Sequence, residues 1–220
     1  MNQDIIHVYF MPGMAASSKI FEYIELPKNQ FETHFLDWVL PIDNETIEAY
    51  AKRMVKNIKN ENSVLIGVSF GGVLVQEMSK HIRLRKLIII SSVKSVKELP
   101  KKMHLAKVTM AYKLLPVQWV ANIDSLAKYI FGENIPKRIS LYKKYLSVND
   151  SKYLSWAIEN MVCWNQETYI KNIIHIHGDK DTVFPIKYIK DCIVIKDGTH
   201  IMIINRFKWF NKHLPKLIMS

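Results

Sequence analysis

The chain has 220 residues, 49% of them hydrophobic and 23% charged, and a formal net charge of +11. This length suits one sizeable core, and the balance of apolar and charged residues excludes a disordered chain. The positive charge would suit nucleic acid, an anionic membrane or an acidic substrate. However, lysine outnumbers arginine 26 to 5, and the basic residues are scattered. We therefore expect a lysine-rich surface that aids solubility and no specific nucleic-acid partner.

The start of the chain and its two cysteines indicate a compartment. "MNQDIIHVYF" has an acid at position 4 and lacks the basic start and long apolar stretch of a signal peptide. The longest uncharged apolar run, 87–93, is too short to span a bilayer. Cys163 and Cys192 lie in unrelated contexts without metal-like spacing. We expect a cytoplasmic protein with reduced thiols, no transmembrane segment, and neither a metal nor a cofactor; the oligomeric state stays open.

Apolar runs alternate with helical patterns along the chain, an order that predicts a parallel α/β sheet. The predicted strands share an apolar, β-branched composition and cover 5–10, 33–39, 63–69, 85–93, 172–178 and 191–198. The predicted helices have apolar residues at helical spacing and cover 19–23, 44–60, 71–82 and 199–218.

Between residues 95 and 168 the strand signals stop, and the pattern becomes helical, aromatic-rich and studded with lysines. An insertion of this length between two strands predicts a helical lid on a single domain that spans 1–220. Trp156 and Trp164 are eight residues apart, so they would share one face of a helix. Either they pack the lid onto the sheet, or they roof an apolar pocket together with Met14 and Phe70.

The run "VLIGVSFGGVLVQEM" (64–78) places three of the seven glycines around one serine, Ser69. A strand pattern precedes this G-x-S-x-G motif and a helix pattern follows it, as a nucleophilic serine on a tight strand-to-helix turn requires. Gly67 and Gly71 leave room for the strained backbone, and the positive end of the following helix stabilises a developing oxyanion. The simpler alternative is a tight turn with an incidental serine.

On these residues the chain resembles the α/β-hydrolase superfamily, over residues 5–94 and 172–215. The resemblance implies a three-layer α/β/α sandwich with a mainly parallel sheet of about six strands. The two antiparallel strands that often begin the fold are missing. It also implies catalytic groups in the chain order serine, acid, histidine.

The loops after the last two predicted strands fit that order. His200 directly follows the last strand, where the family has its catalytic base. The spacing of Gly178, Asp181 and Pro185 resembles the family pattern around the acid, so Asp181 is the implied acid. Asp179 suits a turn.

The family's oxyanion hole consists of two backbone N–H groups, which the resemblance assigns to Met14 and Phe70. Pro12-Gly13 stands where the family often has His-Gly, which removes a side chain but keeps the backbone donor.

We therefore expect a serine hydrolase that cleaves a carboxylic ester with a small to medium acyl group through an acyl-enzyme. The motifs do not separate ester cleavage from thioester, amide or C–C cleavage. A non-catalytic ligand-binding or sensor protein on the same fold also stays open.

Overall fold

The structure is a computed structural model that describes residues 5–114 and 144–220. Its centre is a sheet of six parallel strands in the order β2-β1-β3-β4-β5-β6. The strands are β1 Ile6–Met11, β2 Phe31–Phe35, β3 Val64–Val68, β4 Lys86–Ile90, β5 Ile174–Gly178 and β6 Ile193–Ile195. The predicted parallel sheet of about six strands is confirmed.

Helices flank the sheet. They are α1 Ile47–Met54, α2 Phe70–Ser79, α3 Lys101–Val108, α4 Ser151–Cys163, α5 Met202–Asn205 and α6 Phe207–Met219. Side chains cap two of them: the Thr46 hydroxyl accepts from Ala49 N at α1, and Asp150 accepts from Tyr153 N at α4. Within the described ranges, no helix combines the length and apolar character needed to cross a bilayer.

The middle of the sheet forms the core. Every residue of β3 is buried, and so is every residue of β4 except Lys86. This is expected for parallel strands that are covered on both faces. Because all strands run the same way, the loops that follow them meet at one edge of the sheet. The loops after β1, β3, β5 and β6, which carry the predicted site residues, therefore converge.

The predicted lid falls partly outside the described residues, since 115–143 are not among them. Of the insertion 95–168, the structure describes α3 and α4, which pack against one another. Their helical character matches the pattern. The lid itself, and the single domain over 1–220, stay predictions.

Candidate active site

Ser69 occupies the tight turn between β3 and α2. Its backbone has φ 53° and ψ −122°, a left-handed conformation that is strained for a residue with a side chain. The end of β4 holds this turn in place: Ser69 N donates to Ile90 O at 2.9 Å, and the Ser92 hydroxyl donates to Ser69 O at 2.7 Å. These two bonds thus fix the peptide groups before and after the strained serine.

Gly71, in the first turn of α2, lies directly on the loop that follows β1. A Cβ atom on Gly71 would be 2.2 Å from the carbonyl oxygen of Pro12 and 2.6 Å from that of Met11. Only glycine fits this approach without a backbone shift. The contact brings the start of α2 and the loop containing Gly13 to the same side of Ser69.

Ser69, His200 and Asp181 form a continuous chain of hydrogen bonds. His200 Nε2 is 2.9 Å from Ser69 Oγ, and His200 Nδ1 is 2.9 Å from Asp181 Oδ2. The carboxylate accepts from Nδ1–H, which leaves Nε2 to accept from the serine hydroxyl. Asp181 and His200 are buried, so solvent competes little for these bonds. The structure therefore brings the three side chains predicted from sequence into mutual contact.

The loop after β5 is arranged around the Asp181 carboxylate. Its Oδ1 accepts from the backbone N–H groups of Val183 and Phe184, both at 2.9 Å. Burial alone would raise the pKa of Asp181, but the charge and hydrogen bond of His200, aided by His177 and Phe184 N–H, hold that pKa below its ordinary value. Asp181 is therefore ionised at neutral pH.

His177 supports the same loop from beneath. Its Nε2–H donates to Phe184 O at 2.8 Å, and its Nδ1 accepts from His175 Nε2 at 3.1 Å. Burial lowers the pKa of both imidazoles, so both rings are neutral at pH 7. His177 is thus a buried brace for the acid loop.

The acid loop and the base loop touch backbone to backbone. A Cβ atom on Gly178 would be 2.1 Å from Gly198 O, and Lys180 N donates to that same oxygen at 2.9 Å. This approach sets the spacing between the loops that carry Asp181 and His200. Asp179 is exposed in the turn between them and makes no side-chain hydrogen bond to His200.

Gly13 lies beside the serine. A Cβ atom on Gly13 would be 3.3 Å from Ser69 Cβ and 3.9 Å from Ser69 Oγ. Its carbonyl oxygen accepts two hydrogen bonds, from Trp38 Nε1 at 2.9 Å and from Ala16 N at 3.1 Å. In a trans peptide the C=O and the following N–H point in opposite directions. The two bonds therefore fix the direction of Met14 N–H.

Trp38 is a residue that the sequence analysis missed. It follows β2 at the carboxyl edge of the sheet, and its ring stacks on Phe70 with centroids 5.3 Å apart and 12° between the planes. Trp38 thus contacts Phe70 through its ring and Gly13 O through its Nε1–H, and Gly13 O belongs to the peptide that carries Met14 N–H, the other predicted oxyanion donor. No local pattern marks it, because the contact depends on the order of strands in the sheet.

An apolar cavity of about 120 Å³ adjoins Ser69 and His200. Its walls include Met14 and Phe70. The remaining lining is mainly aliphatic and comprises Gly13, Ala16, Ile20, Val68, Met103, Tyr145, Leu146, Met161, Val183, Phe184, Ile201, Ile203 and Ile204. The cavity offers space for an apolar group directly next to the serine hydroxyl.

Trp156 and Trp164, predicted as pocket residues, do not line this cavity. Trp156 donates from Nε1 to Glu45 O at 2.6 Å and packs on Tyr50, with ring centroids 4.4 Å apart. Trp164 donates to the buried carboxylate of Glu77 at 2.8 Å. Trp164 directly follows the end of α4. The acceptor of Trp156 lies just before α1 and that of Trp164 lies in α2, so both indoles pack α4 against this part of the fold.

Among the described residues, the side chains grouped closely enough to share an ion do not include His177, Asp181 or His200. These side chains use their polar atoms on one another and on the backbone.

Comparison with known proteins places the fold. No family model matches the chain, and no curated protein matches it by sequence. Solved structures match the chain by fold. A hydrolase from Oleispira antarctica has a TM-score of 0.76 at 13% identity, and the match covers 100% of this chain and 93% of the hydrolase chain.

Two further similar structures have different activities in their names. An esterase from Exiguobacterium antarcticum has a TM-score of 0.71 at 17% identity, covering 100% of this chain and 94% of its own. A bromoperoxidase from Bacillus anthracis has a TM-score of 0.72 at 16% identity, with coverage of 100% and 94%. At such identities the likeness establishes the fold. The chain is a protein of the α/β-hydrolase fold.

Proposed function

We propose that this chain is a serine hydrolase that cleaves a carboxylic ester with a small to medium acyl group. The observation that carries the proposal is the unbroken chain of 2.9 Å contacts from Ser69 Oγ through His200 to Asp181. A serine on a strained turn, paired to a histidine whose other nitrogen is held by a buried carboxylate, is the arrangement that activates a hydroxyl as nucleophile. The similar hydrolase and esterase structures agree with this chemistry.

In the proposed reaction Ser69 Oγ attacks the ester carbonyl carbon while His200 Nε2 takes the hydroxyl proton. Asp181 stays ionised, holds the Nδ1–H tautomer and stabilises the imidazolium. Collapse of the tetrahedral intermediate breaks the bond to the alcohol oxygen, which leaves with the proton from His200. Water, deprotonated by His200, then attacks the acyl-enzyme carbonyl. Collapse of this second intermediate breaks the bond to Ser69 Oγ, which takes the proton back from His200, and the acid product is released.

The negative oxygen of the tetrahedral intermediate needs hydrogen-bond donors. We assign this role to the backbone N–H groups of Met14 and Phe70. Phe70 is the first residue of α2, where an N–H has no acceptor within the helix and the dipole favours negative charge. Met14 N–H belongs to the peptide whose carbonyl is held by Trp38 and Ala16. Donors fixed in advance in this way stabilise the transition state without reorganisation.

The apolar cavity supports a short acyl group. Its volume of about 120 Å³ is slightly below that of a protein cavity of about 150 Å³ that holds benzene. An acetyl or butanoyl chain fits a space of that size, and an octanoyl chain exceeds it. Since the lining is mainly aliphatic, charged acyl groups would lose hydration without compensation.

The test is hydrolysis of p-nitrophenyl acetate, butanoate and octanoate by the native protein and by Ser69→Ala. We expect turnover that is fastest with the two short esters and falls by about 10⁴-fold or more in Ser69→Ala. Ser79→Ala is a matched control, because Ser79 lies at the far end of the same helix and donates only to Gln76 O. Equal activity of Ser69→Ala and the native protein would overturn the proposal.

A further inference from the structure

A second group of reactive side chains lies on the two outer strands β1 and β2. In the parallel register His7 is opposite Glu32, and Tyr9 is opposite His34. Since side chains alternate along a strand, His7, Glu32 and His34 project from the same face of the sheet. We propose that these three side chains bind a divalent transition-metal ion of the zinc class.

The separations between the ligand atoms match those in a coordination shell. His7 Nδ1 is 3.0 Å from His34 Nε2 and 3.5 Å from Glu32 Oε2, and His34 Nε2 is 3.7 Å from Glu32 Oε1. Ligands bound to Zn²⁺ at 2.0–2.1 Å with tetrahedral geometry lie about 3.4 Å apart. The two ring nitrogens and one carboxylate oxygen of Glu32 can therefore share one ion after small side-chain adjustments.

The ligand types select the class of ion. Two imidazole nitrogens and one carboxylate oxygen suit Zn²⁺ and neighbouring transition metals, whereas Ca²⁺ and Mg²⁺ prefer oxygen ligands. Three protein ligands leave a fourth position for water.

The group is also accessible and suitably charged. The side chains of His7, His34 and Glu32 are 20%, 27% and 58% exposed, so an ion can enter from solvent. In the part of the chain that the structure describes, the ion pairs of Glu32 are those with these two histidines. No described lysine or arginine therefore competes with a cation for this carboxylate.

The neighbouring structure fixes the His34 ring in advance. Tyr9 stacks on it with ring centroids 4.4 Å apart and 16° between the planes. The Tyr9 hydroxyl donates to Asn60 Oδ1 at 2.6 Å and accepts from Lys59 N at 3.1 Å. A ligand ring held by a buried, doubly hydrogen-bonded partner needs little ordering on metal binding.

The proposed metal site is separate from Ser69. His7 is the second residue of β1 and lies towards its amino end, whereas Ser69 follows the carboxyl end of β3. The metal would join edge strand β2 to β1, and we expect it to stabilise the fold without supplying a catalytic group. The sequence analysis expected no metal, because the ligands lie on two strands and His7 and Glu32 are 25 residues apart, a separation that no local spacing reveals.

The test is isothermal titration calorimetry of untagged, chelator-treated protein with Zn²⁺. We expect one ion per chain and an affinity at least about 10-fold weaker in each of His7→Ala, Glu32→Gln and His34→Ala. His81→Ala and His104→Ala are matched controls that remove exposed histidines elsewhere on the surface, and both should bind Zn²⁺ like the native protein. Zn²⁺ should also raise the unfolding temperature of the native protein more than that of the three ligand variants.

Co²⁺ provides an independent readout, since visible absorption bands report its ligands directly. These bands should appear with the native protein and weaken in Glu32→Gln, which keeps the size of the side chain and so guards against misfolding. Two results would overturn the proposal: no Zn²⁺ binding by the native protein at millimolar metal, or Zn²⁺ binding and Co²⁺ spectra that are unchanged in all three ligand variants. Neither readout depends on Ser69, so the result is independent of the proposed hydrolase activity.

Discussion

Replacing Trp38 by phenylalanine tests how the loop after β1 is held for catalysis. The substitution removes the indole N–H that donates to Gly13 O at 2.9 Å and keeps an aromatic ring to pack on Phe70. Gly13 O then retains one of its two donors, Ala16 N at 3.1 Å. The peptide between Gly13 and Met14 becomes freer to rotate, and Met14 N–H loses its fixed direction.

The structure sets bounds on the size of the effect. One lost hydrogen bond lowers the free energy of unfolding by about 0.5–1.5 kcal/mol, and each 1 kcal/mol corresponds to about 2–4 °C in Tm for a chain of this size. Complete loss of an oxyanion donor lowers kcat by about 10²–10³-fold. Trp38→Phe loosens the Met14 donor without removing it, so we expect a loss in kcat of about 10-fold. KM should change little, because the oxyanion forms only after binding.

Trp156→Phe is the matched control. It makes the same chemical change in the same aromatic cluster and also removes one indole bond to a backbone carbonyl, that of Glu45. Both variants should lose similar stability in urea unfolding, but only Trp38→Phe should lose kcat on p-nitrophenyl butanoate. Equal kcat values for Trp38→Phe and Trp156→Phe would refute the positioning role of Trp38.

Two further predictions concern stability. In an open helix, Gly71→Ala would raise the free energy of unfolding by about 1 kcal/mol through helix propensity, but here its Cβ would lie 2.2 Å from Pro12 O. We therefore expect a net loss of more than about 1 kcal/mol in the free energy of unfolding. A urea midpoint at or above the native value would contradict this prediction. The pKa of Asp181 is lowered in the folded state, so its ionised form contributes stability above its unfolded pKa of about 3.9, and this is lost as the pH falls through the lower folded pKa. The stability difference between the native protein and Asp181→Asn should therefore shrink below about pH 4 in urea unfolding, and a difference that stays constant there would contradict the assigned pKa direction.

Local patterns in the sequence predict most of the sheet, and their errors have physical causes. The pattern predicts a strand over 33–39, whereas β2 spans Phe31–Phe35. Leu36 and Trp38 are apolar because they are buried beyond the end of the strand, not because they continue it. The pattern over 199–218 likewise predicts one helix, but the chain breaks at Arg206, which has φ −119°; apolar spacing on either side of the break conceals it.

The predicted site follows the same division. Ser69 stands in a motif of its own, whereas Asp181 and His200 are named through the family resemblance, from their positions after strands and the glycines near them. The bond from Trp38 to Gly13 O depends instead on β2 lying beside β1, which no local pattern encodes. Trp156 is a similar case. Helical spacing predicts on which face of α4 it lies, but it does not predict that Glu45 O accepts its N–H.

The most direct measurement of the central claim is the reaction of the native protein with a fluorophosphonate, followed by mass spectrometry of the intact chain and its peptides. A serine activated by His200 and Asp181 should give a single adduct on Ser69, and His200→Gln should label far more slowly while remaining folded. A folded native protein that stays unlabelled, or that carries the adduct on another residue, would contradict the assignment of Ser69 as the nucleophile.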